Sequence, residues 1–259
     1  MATVDSQTDY LIIMTACIDP STGPAKVVRA EPAVRLEDYR KALRFWMDHP
    51  DKRLNRILFL ENSGYPLDRL KSEATNNPRG KEVEFVSMKC NDYPSNLSYG
   101  YSELRMVDLG TDQSKLAHTS KYFVKVTGRL TFPELPRLLN RLPDDYDFAV
   151  DSRNNVRFSR SPQVFVSTQL MIFSRDFYNR KIRALWQQMP ARNFALIENL
   201  LWDELIPLRR KPGAILRWPV NVDPHGQAAH WQKDYRSPKQ RLISRARAVA
   251  RVLTPWWWI

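Results

Sequence analysis

Cysteine is nearly missing from this 259-residue chain, which has only Cys17 and Cys90. Two thiols so far apart make neither a zinc knuckle nor a disulfide framework, and a reducing compartment is the natural reading. Long apolar runs are missing as well. The opening segment MATVDSQTDYLIIMTACIDP has no basic stretch followed by a long apolar core, and its apolar run from Tyr10 to Ile13 is far too short to span a bilayer. Neither a signal peptide nor a transmembrane helix is expected. Glycine is sparse, and no Gly-x-Gly-x-x-Gly, Gly-Lys-Ser/Thr or Gly-x-Ser-x-Gly occurs. Dinucleotide and P-loop sites thus lack their phosphate-cradling backbone, and a serine-hydrolase elbow lacks its turn. The histidines are scattered: of His49, His118, His225 and His230, only the last two are near neighbours, a weak signal for a metal. Acid is in deficit, with 28 Asp and Glu against 40 Lys and Arg, a formal charge of +12. That balance favours an anionic partner, whether nucleic acid, a phosphorylated substrate or an acidic membrane surface.

What is present reads as alternating strands and helices. YLIIMTA (10–16), RILFLE (56–61), VEFVSM (83–88), YFVKVT (122–127) and YDFAVD (146–151) have the apolar character of buried strands, and TQLMIFS (168–174) resembles one more. Helical spacing predicts helices near 35–47, 66–70, 101–109, 132–141, 175–188 and 193–205. This alternation predicts an α/β fold, a largely parallel sheet covered on both faces. No internal repeat or low-complexity linker appears, so residues 1–235 read as one domain and 236–259 as an appendage.

In open α/β sheets, ligands bind beyond the carboxyl ends of the strands. Here those ends are all polar: Thr15 to Asp19, Glu61 to Ser63, Lys89 to Asp92, Lys125 to Arg129 and Asp151 to Arg153. Lys125 lies among apolar residues, where an unpaired ammonium costs several kcal/mol, so it requires a carboxylate or a phosphate. Gly128 permits close backbone approach, and Arg129 offers a planar fork for phosphate or carboxylate. Either a grip on an anionic ligand or an internal ion pair with a strand-ending turn accounts for the segment. FAVDSR places Arg153 where an Asp-x-Asp motif would hold a divalent metal against a diphosphate. Asp151 would then bind a metal or a sugar hydroxyl, or form a local ion pair. Glu198 and Asp203, in IENLLWDEL, are candidates for a general base or for simple solvated carboxylates.

The order of motifs resembles nucleotide-sugar glycosyltransferases of the GT-A type, and more closely a group of bacterial proteins encoded in surface-polysaccharide loci such as those for O-antigen and capsule. The similarity runs through MTACIDP, VRLEDYRKAL, LENSG, YGYSEL, the Lys-x-Thr-Gly-Arg strand end, VDSR and IENLLWDEL. It implies a GT-A-like, Rossmann-like fold and transfer of a sugar from a nucleotide-sugar donor to a glycan acceptor, lipid-linked in such systems. Donor contacts are then expected from Thr15, Ala16, Glu61, Asn62, Lys125, Thr127, Gly128, Arg129 and Arg153. Catalytic roles are expected for Asp151, Glu198 and Asp203, and acceptor contacts from Tyr101, Glu103 and His225. Asp151 also takes the place of the metal motif, for Mg²⁺ or Mn²⁺, although Arg153 breaks the pattern.

The tail differs from the rest. KQRLISRARAVARVL reads as a basic amphipathic helix followed by three tryptophans and Ile259. Such a segment suits the surface of an anionic bilayer, and docking on the protein's own core or on a partner subunit is the alternative. The expected location is cytoplasmic, peripheral at the inner face of the cell membrane. The competing class is a non-enzymatic nucleic-acid-binding protein, which would need a continuous basic groove with stackable rings; successive polar strand ends favour a small-ligand pocket, and no nucleic-acid partner is expected. A transferase using a donor other than a nucleotide sugar is the second enzymatic reading.

Overall fold

Every residue of the first strand is buried, as befits the centre of a sheet covered on both faces. The computed structural model describes residues 9–24, 26–154, 163–193, 196–227 and 237–254. Its strands are β1 (Tyr10–Ala16), β2 (Arg56–Glu61), β3 (Glu82–Ser87), β4 (Tyr122–Thr127), β5 (Phe148–Ala149), β6 (Ser152–Asn154), β7 (Val164–Val166), β8 (Leu170–Ser174) and β9 (Ala214–Ile215). The helices are α1 (Pro32–Asp48), α2 (Asp68–Thr75), α3 (Gly100–Gln113), α4 (Lys115–Thr119), α5 (Leu135–Leu139), α6 (Arg175–Phe177), α7 (Gln188–Ala191), α8 (Ile197–Leu205) and α9 (Pro238–Leu253).

Seven strands form one sheet in the order β3-β2-β1-β4-β8-β5-β9, and β6 and β7 form a separate hairpin-like pair. Side-chain alternation sorts the core into two layers. Ile12, Met14, Ile57, Phe59, Val124 and Val126 pack with Leu36, Leu43 and Trp46 of α1 and Leu138 of α5. Leu11, Ile13, Leu58, Leu60 and Phe123 pack on the other face with Leu104 and Val107 of α3 and Leu200 and Leu201 of α8. Lys125 has the parity of the second layer, so its ammonium points toward α3 and α8.

The structure refines several elements within a sheet that is largely parallel, as expected. TQLMIFS is a strand, but β8 runs antiparallel between β4 and β5. The β6 and β7 pair reverses the chain at the far end of β5, and so short a return cannot make a parallel crossover. The helix expected over 175–188 is broken into α6, a π-helical turn at Tyr178–Ile182 and a 3-10 turn at Leu185–Gln187. Its breaker is tertiary: the buried Asp108 carboxylate on α3 accepts from the Ala184 N–H (2.9 Å), Trp186 Nε1 (2.8 Å) and Tyr178 Oη (2.5 Å). Ala184 adopts φ 64° to present that N–H. The helix expected over 193–205 begins at Ile197, and the one over 132–141 shortens to α5.

Glycine matters where the backbone is crowded. A Cβ on Gly128 would lie 2.7 Å from the Thr15 carbonyl oxygen, and the Gly128 N–H donates to that same oxygen at 2.9 Å. This contact holds the end of β4 against the end of β1. Because the obstruction is backbone, it cannot swing away. Gly128→Ala is expected to lower stability by about 1–3 kcal/mol, read as a reduced urea midpoint with an unchanged slope.

Candidate functional site

The C-terminal ends of β1, β2 and β4 open into a cavity of about 380 Å³. The ends of β1 and β4 supply Thr15, Ala16, Thr127 and Arg129 to its wall, and Asn62 follows β2. Helix α3 adds Ser102, Glu103 and Met106, α8 adds Glu198, and α9 adds Gln240, Ser244 and Arg247.

Its floor is a carboxylate and ammonium cluster. Lys125 is 2% exposed, and its Nζ donates to Glu103 Oε1 and to the Thr168 carbonyl, both at 2.6 Å. Thr15 Oγ1 donates to the same Glu103 oxygen at 2.7 Å. Thr168 Oγ1 in turn donates to Glu198 Oε1 at 3.0 Å. Burial raises the Glu198 carboxyl above its ordinary value; the Thr168 hydroxyl opposes that rise, the nearby Glu103 adds to it, and Lys125 offsets it. A carboxyl so placed faces the cavity with enhanced proton affinity. Lys125 itself is absent from the cavity wall, so the expectation that it grips the donor is replaced by an internal ion pair. The reason is that Glu103, one turn into α3, reaches the ammonium first. Gly100 lets α3 come this close to α8, since a Cβ there would meet Ile197 Cγ2 at 2.3 Å.

At the opposite side, Glu61 is fully buried and used up by its own loop and by the chain after β1. It accepts from the Ile18, Ser63 and Tyr65 N–H groups, each at 3.0 Å. The expected ribose contact therefore gives way to a role in shaping the turn after β2. Asn62 is different: it lines the cavity, and its buried Oδ1 has no hydrogen-bond partner. Arg35 and Tyr39, the two ends of the Arg-x-x-x-Tyr pattern on α1, hold the chain after β1. Arg35 Nε donates to the Cys17 carbonyl (2.7 Å), and Tyr39 Oη accepts from the Cys17 N–H (3.0 Å). Burial pushes the Cys17 thiol up to about 12, so it stays protonated.

Asp151 is 1% exposed and lies behind the wall. Arg153 donates to Oδ2 from Nε (2.9 Å) and from Nη2 (2.7 Å), and Arg251 of α9 pairs with Oδ1. Burial works against ionisation, yet the two guanidinium groups hold this carboxyl below its ordinary value. Both oxygens of the expected metal ligand are therefore occupied by cations, which would repel Mg²⁺ or Mn²⁺. No cluster of three or more His, Cys, Asp or Glu side chains able to hold a metal occurs among the described residues. The residues here do not fit a divalent cation, and the metal assignment to Asp151 is corrected accordingly.

Asp203 points away from the cavity, 3.7 Å from Arg192 and half exposed. Tyr101 turns to Trp186, at 5.1 Å between ring centroids, and His225 is held by a backbone bridge to Thr131. None of these three lines the cavity. Thr15, Ala16, Asn62, Glu103, Thr127, Arg129, Arg153 and Glu198 are brought together as wall residues. Sequence reasoning missed Gln240, Ser244 and Arg247, although their spacing at one face of the tail helix was a readable signal. His230 and the terminal tryptophans lie outside the described residues.

No family model matches the chain, and no curated protein matches it in sequence. Solved structures do resemble it. Core-mannan synthase A from Aspergillus fumigatus, in its Mn/GDP form, superposes with a TM-score of 0.51 at 10% identity, covering 97% of this chain and 87% of that one. The mannosyltransferase Ktr4p from S. cerevisiae gives 0.47 at 11% identity, with coverage of 89% and 74%. The galactosyltransferase LgtC, in complex with donor and acceptor sugar analogs, gives 0.46 at 10% identity, with coverage of 74% and 69%. At such identities the likeness speaks to the fold alone, which is α/β and GT-A-like.

Proposed function

We propose that this protein is a glycosyltransferase moving a sugar from a nucleotide-sugar donor to a glycan acceptor. The observation that carries the reading is the cavity at the strand ends, which combines two unanswered polar groups with a half-buried carboxylate. Asn62 Oδ1 and Arg129 Nε and Nη1 are buried without hydrogen-bond partners, an expense that a bound ligand would offset. In this reading Asn62, beside the end of β1, takes a donor hydrogen from the nucleoside, and Arg129 takes donor phosphate or sugar oxygens. Lys125 and Glu103 position the floor. Glu198 is the base: the acceptor hydroxyl oxygen bonds to the anomeric carbon, its proton passes to Glu198, and the bond from that carbon to the donor phosphate breaks. The electron pair leaves on the nucleoside diphosphate.

The acceptor proposed is a lipid-linked glycan of bacterial surface-polysaccharide synthesis, met at the cytoplasmic face of the membrane. What supports this is the orientation of α9. Leu242, Val249, Val252 and Leu253 are 69%, 55%, 79% and 68% exposed, with Lys239 and Arg245 also outward. An apolar stripe flanked by cations suits an anionic lipid surface. No helix among the described residues is long and apolar enough to cross a membrane.

Three outcomes follow. Glu198→Gln should cut transfer by about 10²–10⁴-fold with little change in thermal midpoint, and retained activity would remove Glu198 from the chemistry. In the wild type, the base must be ionised, so kcat/KM should fall as the pH drops through the folded Glu198 value, which lies above the ordinary 4.5 of glutamate. An acid limb at or below the ordinary 4.5 would oppose the assignment. Replacing Leu242, Val249 and Leu253 together by Glu should abolish co-sedimentation with anionic phosphatidylglycerol vesicles while leaving the circular dichroism spectrum intact; undiminished binding would overturn the membrane location.

A further inference from the structure

Helix α9 is amphipathic in the reverse sense to an ordinary surface helix. Gln240, Ser244 and Arg247, spaced four and three residues apart, line the cavity, and Arg251, four residues on, pairs with Asp151 and donates from Nη1 to the Trp218 carbonyl at 2.9 Å. Ser244 bonds to Asp223 and accepts from Asn221 Nδ2 at 2.7 Å. These contacts bring cations from the last helix into a site built by the first strands.

The electrostatics there are unbalanced. Around Arg247 stand two further cations, Arg153 and Arg251, and two carboxylates, Asp151 and Asp223. Asp151 is satisfied by Arg153 and Arg251, and Asp223 receives the Ser244 hydroxyl. Arg247 is left facing the cavity with no ion pair or hydrogen bond among the described residues. Burial, together with the charges of Arg153 and Arg251, pushes its guanidinium down to about 10, still ionised at neutral pH. Arg129, across the same cavity, keeps two N–H positions unpartnered. Surplus positive charge held partly out of water is costly unless an anion joins it.

We infer that Arg247 of α9, with Arg129 and Arg153, forms a metal-free cradle for the diphosphate of the donor, so that the C-terminal helix is part of the donor site. The inference rests on the nucleotide-sugar reading for the identity of the ligand. Its chemistry is that of planar guanidinium forks meeting phosphate oxygens and neutralising the charge that gathers on the leaving diphosphate. Asp151 then serves as the anchor that orients Arg153 and ties Arg251, and with it α9, to the body of the protein.

Inorganic pyrophosphate is the probe, titrated calorimetrically into the full chain. Binding should be at least as tight in EDTA as with Mg²⁺ or Mn²⁺ added. Arg247→Ala should weaken it by about tenfold or more, the loss of one charge-assisted contact. Arg247→Lys should fall between, and Arg245→Ala, which removes the same charge from the outward face, should match the wild type. Binding that appears only on adding metal, or equal losses from Arg247→Ala and Arg245→Ala, would overturn the cradle. If Arg247→Ala fails to fold, as seen by its melting curve, Arg247→Lys carries the comparison, and wild-type affinity in that variant counts against the guanidinium. The two readings fail separately. Metal-independent, Arg247-dependent pyrophosphate binding with no turnover of any nucleotide sugar removes the transferase and keeps the cradle, whereas metal-requiring turnover untouched by Arg247→Ala does the reverse.

Discussion

A lysine ammonium in the interior of a central strand must be met by charge, and much of the site follows from how this protein meets it. Lys125 sits opposite Ile13 of β1 and Met171 of β8, with hydrocarbon on either side along the sheet. Breaking such a buried pair by removing one partner typically costs about 3–5 kcal/mol. Glu103 supplies the counter-charge from α3, the Thr168 carbonyl supplies a second acceptor, and Thr15 donates to the same carboxylate oxygen. Those bonds join β1, β4, α3 and the chain after β7 at one point. The same cluster sets Glu198 beside a like charge and an opposite one, and so tunes the carboxyl that faces the cavity.

The second organising pair is Asp151 with its two arginines. Its position at the end of β5 matches the place where a metal motif would stand, but the local chemistry is inverted, with cations where a metal's other ligands would be. One of those cations comes from a helix 100 residues later in the chain. That bond explains how a tail helix with an exposed apolar stripe can also belong to the cavity: the polar stripe faces the site, and the apolar stripe is free for another surface. Ile243, Ala248 and Ala250 are only partly buried, so directional contacts supply much of what holds the helix there.

Much of the fold was legible. The strands at 10–16, 56–61 and 122–127 match the observed bounds, because each is a short apolar run closed by polar or turn-forming residues. The direction of β8 was not legible, since a run such as LMIFS looks alike in either orientation. The broken helix after Arg175 was hidden for a similar reason: its local pattern is helical, and the Asp108 carboxylate that opens it is some 70 residues away. The polar strand ends pointed to the cavity, yet only part of each faces it. Glu61 and Lys125 are the residues most deeply drawn into their own structure, whereas their neighbours Asn62 and Arg129 are left with unanswered groups.

The sequence by itself determined the alternation of strands and helices, the polar rim at the strand ends and the need for Lys125 to find an anion, since periodicity and burial cost are local properties of the chain. Only the tertiary structure decided which anion it found and which cations surround Asp151. Those choices depend on which helices pack beside a given strand end, and they join residues as far apart as Thr15 and Glu103 or Asp151 and Arg251. Ion pairs form with whatever charge the fold brings within a few ångströms, and distance along the chain carries no record of that.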